Sequence, residues 1–308
     1  MNEVTVALVC GVFGLAIGSF LNVVIWRVPR DESVVRPPSH CPSCDTEISP
    51  RDNVPVLSWL LLRGRCRHCK THISARYPAV ELLTAIVFAA VGARFHSNIV
   101  VTALLVLAAA LIALSLIDLD HLLLPNRVIY PAAAITIPLF VLAAAVDHEW
   151  TALGRAALGG LIAFAVFFVI WFVAPRAMGY GDVRLSALLG FAAAFFGWQV
   201  LAVALFVPFL LGSFGGIAVA APVVLAPMCA AAAAGYASGV TIMTKLGGGV
   251  APGDPLRARV AVAVVGALLV GSITYLVLSA VGRVQRGRHI PFGPFLASGA
   301  LLAIFLHG

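Results

Sequence analysis

Charged residues are scarce in this sequence. Of its 308 residues, 20 are Lys or Arg and 13 are Asp or Glu, whereas 61% are hydrophobic. Soluble chains contain roughly 25% charged residues, so a water-soluble globule of this length could not cover its surface. The scarcity excludes soluble enzymes, disordered tails and coiled coils. It also makes each carboxylate a functional candidate, because an ionisable group is costly in hydrocarbon.

Long uncharged runs predict an all-α, polytopic membrane protein with about eight to ten transmembrane helices. Roughly 20 apolar residues are enough for a helix to cross a bilayer. The sequence contains neither a clear internal repeat nor a long hydrophilic linker. The predicted spans, of which the second is interrupted only by Glu81, are 4–26, 78–93, 97–117, 128–146, 156–174, 185–244 with room for three helices, 260–281 and 290–307.

The distribution of basic residues predicts the topology. The segment 27–77 holds nine of the 20 Lys and Arg residues, which places it in the cytoplasm and the N-terminus outside. The cations cluster at membrane edges, so we expect lipid contact and no nucleic-acid binding. The chain therefore divides into a first transmembrane helix (1–26), a cytoplasmic loop (27–77) and a membrane domain (78–308).

Four of the six cysteines lie in the cytoplasmic loop as two CxxC pairs. Cys41 and Cys44 form the first pair, and Cys66 and Cys69 form the second after 21 intervening residues. This spacing is typical of a four-thiolate zinc site in a small ribbon. Zinc would stabilise a loop that has too few apolar residues to fold alone, and reduced cytoplasmic thiols favour metal over disulfides. A redox-active dithiol pair and a loop without metal are the alternatives.

Two aspartates lie at the ends of apolar segments. Asp118 ends the third predicted span, and Asp182 follows Gly179 and Gly181, which permit a bend and the close approach of another helix. Both aspartates fall at the inner membrane face in the predicted topology. Two neighbouring carboxylates share a proton. One can then activate water against a peptide carbonyl while the other protonates the departing amine.

Each aspartate also has a structural alternative. A carboxylate at a helix end can face water, or pair with a nearby cation such as Arg127 or Arg184. Asp120 is the better candidate for a surface residue than Asp118. Two rival functions use the same residues: a proton-coupled transporter with the aspartates as a relay, and a non-catalytic anchoring protein whose metal loop binds a partner.

Several ordered sequence blocks resemble the bacterial type IV prepilin peptidases, also called prepilin leader peptidase/N-methyltransferases. A lone GxGD box would be a weak signal, but the blocks extend over nearly the whole chain. They are GSFLNVV at 18–24, CPSC at 41–44, NVPVLSWL at 53–60, RGRCRHC at 63–69, RYPAVEL at 76–82, GYGD at 179–182 and IPFGPFLA at 290–297.

The resemblance implies an aspartic peptidase that removes the leader from prepilins and pseudopilins at the cytoplasmic face of the bacterial inner membrane. It also implies methylation of the new N-terminal amine with S-adenosyl-methionine, because the four-cysteine loop is intact. A proline seven positions after the first aspartate, here Pro125, selects Asp118 over Asp120. The implied catalytic pair is Asp118 and Asp182, supported by Gly179, Gly181 and Arg184.

The sequence departs from the family pattern at a few places. Arg184 stands where lysine is usual, and Asn126 replaces a frequent aspartate. The segment 219–282 is longer than the pattern and is expected to add two helices. No glycine-rich nucleotide loop is present, so the methyl-donor site rests on the resemblance alone. Asn22 and Glu81 are candidates to line it, with hydrogen bonding between helices as the alternative.

Overall fold

The structure is a computed structural model that describes residues 2–96, 99–175, 178–208 and 293–307. Its regular secondary structure is helical throughout these ranges. Two short 3₁₀ helices, Val28–Arg30 and Pro50–Asp52, lie in the loop after the first helix. The α-helices are α1 (Glu3–Arg27), α2 (Leu57–Leu61), α3 (Arg76–Arg94), α4 (Val100–His121), α5 (Asn126–Val146), α6 (Trp150–Val173), α7 (Tyr180–Phe196), α8 (Trp198–Pro208) and α9 (Gly293–His307).

Five of these helices are long and apolar enough to cross a membrane, namely α1, α3, α4, α5 and α6. They coincide with the first five predicted spans, which confirms the prediction of a polytopic helical membrane protein. Helix α7 begins five residues before the predicted 185–244 run, because Asp182 and Arg184 are accommodated in its first turns. The helices predicted within 209–292, including the addition at 219–282, lie outside the described residues.

The chain forms two compact units, 1–157 and 158–308. In the first unit, α1 and α3 pack so closely that their backbones touch. A Cβ atom added to Gly18 would lie 2.7 Å from the Cα atom of Glu81, and one added to Gly14 would lie 2.8 Å from the Cα atom of Ala85. Small residues of this kind let membrane helices approach closely and associate.

A hydrophobic core joins α1, α3 and α4 at the end where the loop connects α1 to α3. Its members come from the C-terminal turns of α1 and α4 and from the first turns of α3. The core therefore fixes the metal loop and the end of α4, with Asp118, at the same end of the first unit. The buried members are Leu21, Val24, Ile25, Val28, Val80, Ile112, Ala113 and Ile117.

In the second unit, α6 and α7 also meet through glycines. Gly159 lies against Ala194, and Gly190 lies against Ala163, with no room for a Cβ atom at either glycine. Ser186 in α7 is buried, and its hydroxyl lies 3.4 Å from the carbonyl oxygen of Ala163. This close packing fixes α7, and with it the helix start that carries Asp182.

Candidate metal centre and active site

The loop brings the four predicted cysteines together. Their sulfur atoms all lie within 4.8 Å of one another, and the Sγ atoms of Cys41 and Cys69 are 3.7 Å apart. A tetrahedral zinc site with Zn–S bonds of about 2.3 Å requires sulfurs roughly 3.8 Å apart. A disulfide would require about 2.05 Å. The cluster therefore matches the donor set and the dimensions of a four-thiolate metal site.

The two CxxC knuckles share one backbone conformation. In each, the first cysteine donates its N–H to the carbonyl of the threonine five residues later, at 3.0 Å for Cys41 and Thr46 and 2.9 Å for Cys66 and Thr71. This turn directs both sulfurs of a knuckle toward one point. Each knuckle contains one isolated antiparallel β-bridge, so two single bridges stand in place of the strands of the predicted ribbon. The residue after the second cysteine has positive φ in both, 58° at Asp45 and 61° at Lys70.

The same two threonines also contact the thiols. The Thr71 hydroxyl lies 3.3 Å from the Cys69 sulfur, and the Thr46 hydroxyl lies 3.4 Å from the Cys44 sulfur. Hydrogen bonds from the Thr71 hydroxyl and backbone lower the pKa of Cys69 to about 6. Those from Thr46 lower the pKa of Cys44. Both donors favour the thiolate, which is the form that binds metal. Sequence reasoning missed this role, although the repeat C-x-x-C-x-T signals it.

Cys41 has the opposite electrostatic setting. A backbone hydrogen bond from Ser43 lowers its pKa, but desolvation by burial and hydrogen bonds with the neighbouring thiols of Cys44 and Cys66 outweigh it. Together they raise the pKa of Cys41 to about 11. In the metal-free loop Cys69 is therefore a thiolate and Cys41 a thiol at neutral pH.

Polar side chains of α1 and α3 anchor the loop. The carboxylate of Glu81, which is 8% exposed, accepts the backbone N–H of Val56 at 2.7 Å and also hydrogen bonds to Ser19. Asn22 donates its side-chain amide to the carbonyl of Tyr77 at 3.1 Å. Asn22 and Glu81, the candidates for the methyl-donor site, thus make hydrogen bonds that join helices and loop.

Asp118 lies in the last turn of α4, where it is 6% exposed and directly follows the core residue Ile117. The next residue after α4, Leu122, caps the helix with a positive φ of 52° and donates its N–H to the carbonyl of Asp118 at 2.9 Å. Pro125 then precedes the first residue of α5. Asp118 is therefore held at a buried helix end beside a sharp turn.

Asp120 is not a free surface residue. Its two carboxylate oxygens accept from both terminal nitrogens of the Arg76 guanidinium, at 3.1 and 2.5 Å. The prediction that Asp120 rather than Asp118 lies at the surface is confirmed, because Asp120 is exposed whereas Asp118 is 6% exposed. Arg127, a predicted partner for the aspartates of this region, instead pairs with Asp31 at 2.9 Å. Neither pair has a local sequence signal.

Asp182 is the third residue of α7 and is also 6% exposed. Its carboxylate accepts the backbone N–H of Gly179 at 3.2 Å, while its own N–H donates to the Gly179 carbonyl at 3.1 Å. Gly181 is the second residue of α7 and directly precedes Asp182. A carboxylate at this position is favoured by the positive end of the helix dipole.

Arg184 lies on α7, two residues after Asp182. Its guanidinium carbon lies 4.5 Å from the ring centre of Tyr180, and the Tyr180 ring packs at 4.9 Å from Trp171 of α6. Tyr180 thus contacts the Arg184 guanidinium on its own helix and packs against Trp171, which holds the start of α7 against α6. The charge that the family pattern usually supplies as lysine is thus held in a defined place.

The fold and the loop define a multi-pass helical membrane protein with a four-cysteine cluster that could hold a metal ion, between its first two spans. Residues 12–95 match the Bacterial Peptidase A24 N-terminal domain, and residues 105–217 match the Type IV leader peptidase family. The chain therefore belongs to the type IV leader peptidase family.

Curated relatives support this membership over most of the chain. A prepilin leader peptidase/N-methyltransferase of Myxococcus xanthus is 39% identical, with 96% of this chain and 88% of the relative covered. Proteins of the same name are 39% identical in Aeromonas hydrophila, covering 67% and 78%, and 36% identical in Pseudomonas aeruginosa, covering 66% and 77%. No solved structure matches the chain.

Proposed function

We propose that this protein removes the leader peptide of type IV prepilins and pseudopilins and then methylates the new N-terminal amine. The observation that carries the proposal is the similarity to a prepilin leader peptidase/N-methyltransferase across 96% of the chain, with the four-cysteine loop intact. Membership of a peptidase family does not support the transporter alternative.

Asp118 and Asp182 are the proposed catalytic pair. Each carboxylate is 6% exposed at a helix end. The family likeness makes them partners, and two carboxyl groups that act together on one substrate share one proton. The ionised carboxylate takes a proton from a water molecule as the water oxygen bonds to the scissile carbonyl carbon. The protonated carboxylate donates its proton to the carbonyl oxygen. The C–N bond then breaks, and the amine leaves with a proton returned from the pair.

The remaining site residues act on this pair by position. Gly179 donates a backbone hydrogen bond to the Asp182 carboxylate at 3.2 Å, which orients it and favours its ionised form. Gly181 leaves the space beside Asp182 without a side chain. Arg184 supplies a fixed positive charge on the same helix.

Cys41, Cys44, Cys66 and Cys69 are the proposed zinc ligands. A bound zinc ion supplies a cross-link between the two knuckles that the small loop cannot obtain from a hydrophobic core. S-adenosyl-methionine is the proposed methyl donor, by family likeness. The side chains of Asn22 and Glu81 already hydrogen bond to the loop and to helix α1, so no methyl-transfer step is assigned to them.

The proposed location is the bacterial inner membrane, with the N-terminus outside and the loop and aspartates at the cytoplasmic face. The basic loop supports this orientation, since nine of the 20 Lys and Arg residues lie in 27–77. The prepilin's apolar helix would lie in the bilayer, so that scission falls at the inner membrane edge. The proposed domains are 1–26, 27–77 and the membrane aspartic peptidase domain 78–308.

Purified protein in lipid nanodiscs, mixed with a prepilin, tests the proposal. Asp118→Asn and Asp182→Asn are each expected to lower the cleavage rate more than about a thousandfold, while insertion and melting temperature stay unchanged. Asp120→Asn is the matched control and keeps measurable cleavage. Robust cleavage by Asp118→Asn or by Asp182→Asn would overturn the catalytic assignment. Labelled S-adenosyl-methionine in the same reaction tests methylation, which fails if label never reaches the mature N-terminus.

A further inference from the structure

The short helix α2 exposes a row of leucines. Leu57, Leu60 and Leu61 are 52%, 58% and 74% exposed, and their spacing of three and four residues places them on one face of the helix. Val54, just before the helix, is 43% exposed and extends the apolar surface. Exposed apolar residues grouped in this way mark a surface that contacts another apolar phase.

The other face of α2 is locked into the loop, so the leucines cannot turn inward. Ser58 is 7% exposed, and its hydroxyl donates to the Arg51 carbonyl at 3.0 Å. The Trp59 indole donates to the Ile73 carbonyl at 3.0 Å, and Gly64 packs directly on its ring. These contacts fix the rotation of α2 and keep the leucine face outward.

A second contact sets the position of α2 relative to the membrane-spanning helix α3. The backbone N–H of Val56, at the start of α2, donates to Glu81 at 2.7 Å. Glu81 lies five residues beyond Arg76, the first residue of the membrane-spanning helix α3. At 1.5 Å per residue, Glu81 is roughly 7.5 Å along the helix. The start of α2 is thereby held beside the second turn of α3, near the loop end of that membrane-spanning helix.

Unpaired cations lie beside the leucine row. A cavity of about 350 Å³, lined by Arg63, Arg65 and Lys70 together with Leu62 and Cys66, adjoins the end of α2. In the part of the chain that the structure describes, no carboxylate pairs with Arg63, Arg65 or Lys70. Other loop cations have partners: Arg67 pairs with Asp52 at 2.6 Å, and Arg76 pairs with Asp120.

We propose that α2 and this basic cavity form a membrane-contact surface. The exposed leucines insert into the interfacial region of the bilayer, and the guanidinium and ammonium groups of the cavity bind the phosphates of anionic lipids. An apolar face flanked by cations is the composition of helices that lie in the membrane interface. Both ends of the loop continue into membrane-spanning helices, so the bilayer surface lies within reach of α2.

Contact with the bilayer would attach the metal loop to the membrane at a third point, in addition to its two helical ends. The cavity shares Cys66 with the metal cluster, so lipid contact and the metal site meet at the second knuckle. This surface is independent of the aspartates and of the peptidase reaction. Its failure and the failure of the proposed function are therefore distinguishable.

Photocrosslinking of the full-length protein tests this surface. A benzophenone amino acid replaces Leu61 in protein reconstituted without prepilin in vesicles of phosphatidylcholine and phosphatidylglycerol. We expect lipid adducts at this position, detected by mass spectrometry. The matched control is the same replacement at Val35, an apolar loop residue that is 78% exposed outside α2. Equal adduct yields at both positions, or no lipid adduct at Leu61, would overturn the proposal.

The basic cavity has its own test. Arg63→Gln with Arg65→Gln is expected to remove the excess of phosphatidylglycerol adducts over phosphatidylcholine adducts, with roughly fivefold loss per residue. Arg67→Gln is the charge-matched control, because Arg67 is already paired with Asp52, and it should leave the excess unchanged. Retained metal content shows that each variant is folded. An excess of phosphatidylglycerol adducts that survives the double substitution would contradict phosphate binding by the cavity. Adducts to added prepilin that displace lipid at Leu61 would contradict the membrane-contact surface.

Discussion

Arg76 and Asp120 form a two-point ion pair between the first residue of α3 and the penultimate residue of α4. The two hydrogen bonds measure 3.1 and 2.5 Å. The pair connects the end of the metal loop to the helix turn that holds Asp118, two residues earlier. It is therefore a direct structural link between the metal loop and one of the proposed catalytic residues.

We expect Asp120→Asn to lower the prepilin cleavage rate by no more than about fivefold. The side chains of Arg76 and Asp120 are 45% and 34% exposed, so solvent screens the ion pair. Arg76→Gln should have a similar effect, and the double variant should be no worse than either single one. Cleavage rates at increasing salt concentration check the origin, since screening should reduce the difference from the unsubstituted protein. Arg127→Gln, which breaks an exposed pair with Asp31, is the control. Additive losses would show that the two residues act separately.

The metal-free loop is expected to react unevenly with iodoacetamide. At pH 7.5 Cys69, with a pKa of about 6, is a thiolate and should be alkylated before Cys41, whose pKa is about 11. Labelling of Cys69 should fall as the pH drops through 6, because the thiolate is protonated. Mass spectrometry of chelator-treated protein measures the order of labelling.

Thr71→Val should raise the pKa of Cys69 and shift its labelling profile to higher pH, because the substitution removes the side-chain hydrogen bond that lowers this pKa. Thr46→Val, the matched change in the other knuckle, should move the profile of Cys44 and leave Cys69 nearer to its original value. Identical labelling profiles in Thr71→Val, Thr46→Val and the unsubstituted protein would show that the threonine hydroxyls do not set these pKa values.

Gly18→Ala is expected to destabilise the first unit by about 1–3 kcal/mol, because the new Cβ atom would lie 2.7 Å from the Glu81 Cα atom and push α1 from α3. Gly11→Ala is the matched control on the same helix, since its Cβ atom would reach an ordinary contact of 3.4 Å with Ala89. Melting temperatures in detergent compare the two. A larger loss for Gly11→Ala would contradict this packing.

Glu81→Leu should free the start of α2, because it removes the acceptor of the Val56 N–H. Val56 has a φ of 61°, an unfavourable conformation for a β-branched residue that needs support from its surroundings. Hydrogen exchange across 54–62 is expected to accelerate in Glu81→Leu and to stay near the original rate in Glu81→Gln, which keeps an acceptor oxygen. Unchanged exchange in Glu81→Leu would show that other contacts hold α2.

The amino-acid sequence by itself determined the features that depend on local pattern. Long apolar runs, uncharged except for Glu81 in the second, predicted the five membrane-spanning helices, since hydrocarbon selects against charge over a continuous stretch. The two CxxC pairs predicted the four sulfurs that the loop brings together, because each knuckle is a local turn. Asp118 and Asp182 were predicted as catalytic from their positions at helix ends and from family resemblance, and that role stays a prediction.

Only the tertiary structure decided which distant polar groups meet. Arg76 with Asp120, Glu81 with Val56 and Arg67 with Asp52 are separated by 44, 25 and 15 positions, and no sequence period connects them. The outward leucine face of α2 depends on how Ser58 and Trp59 bond within the folded loop. The scarcity of charge that marked a membrane protein thus left few polar groups, and packing between helices and loop selected their partners.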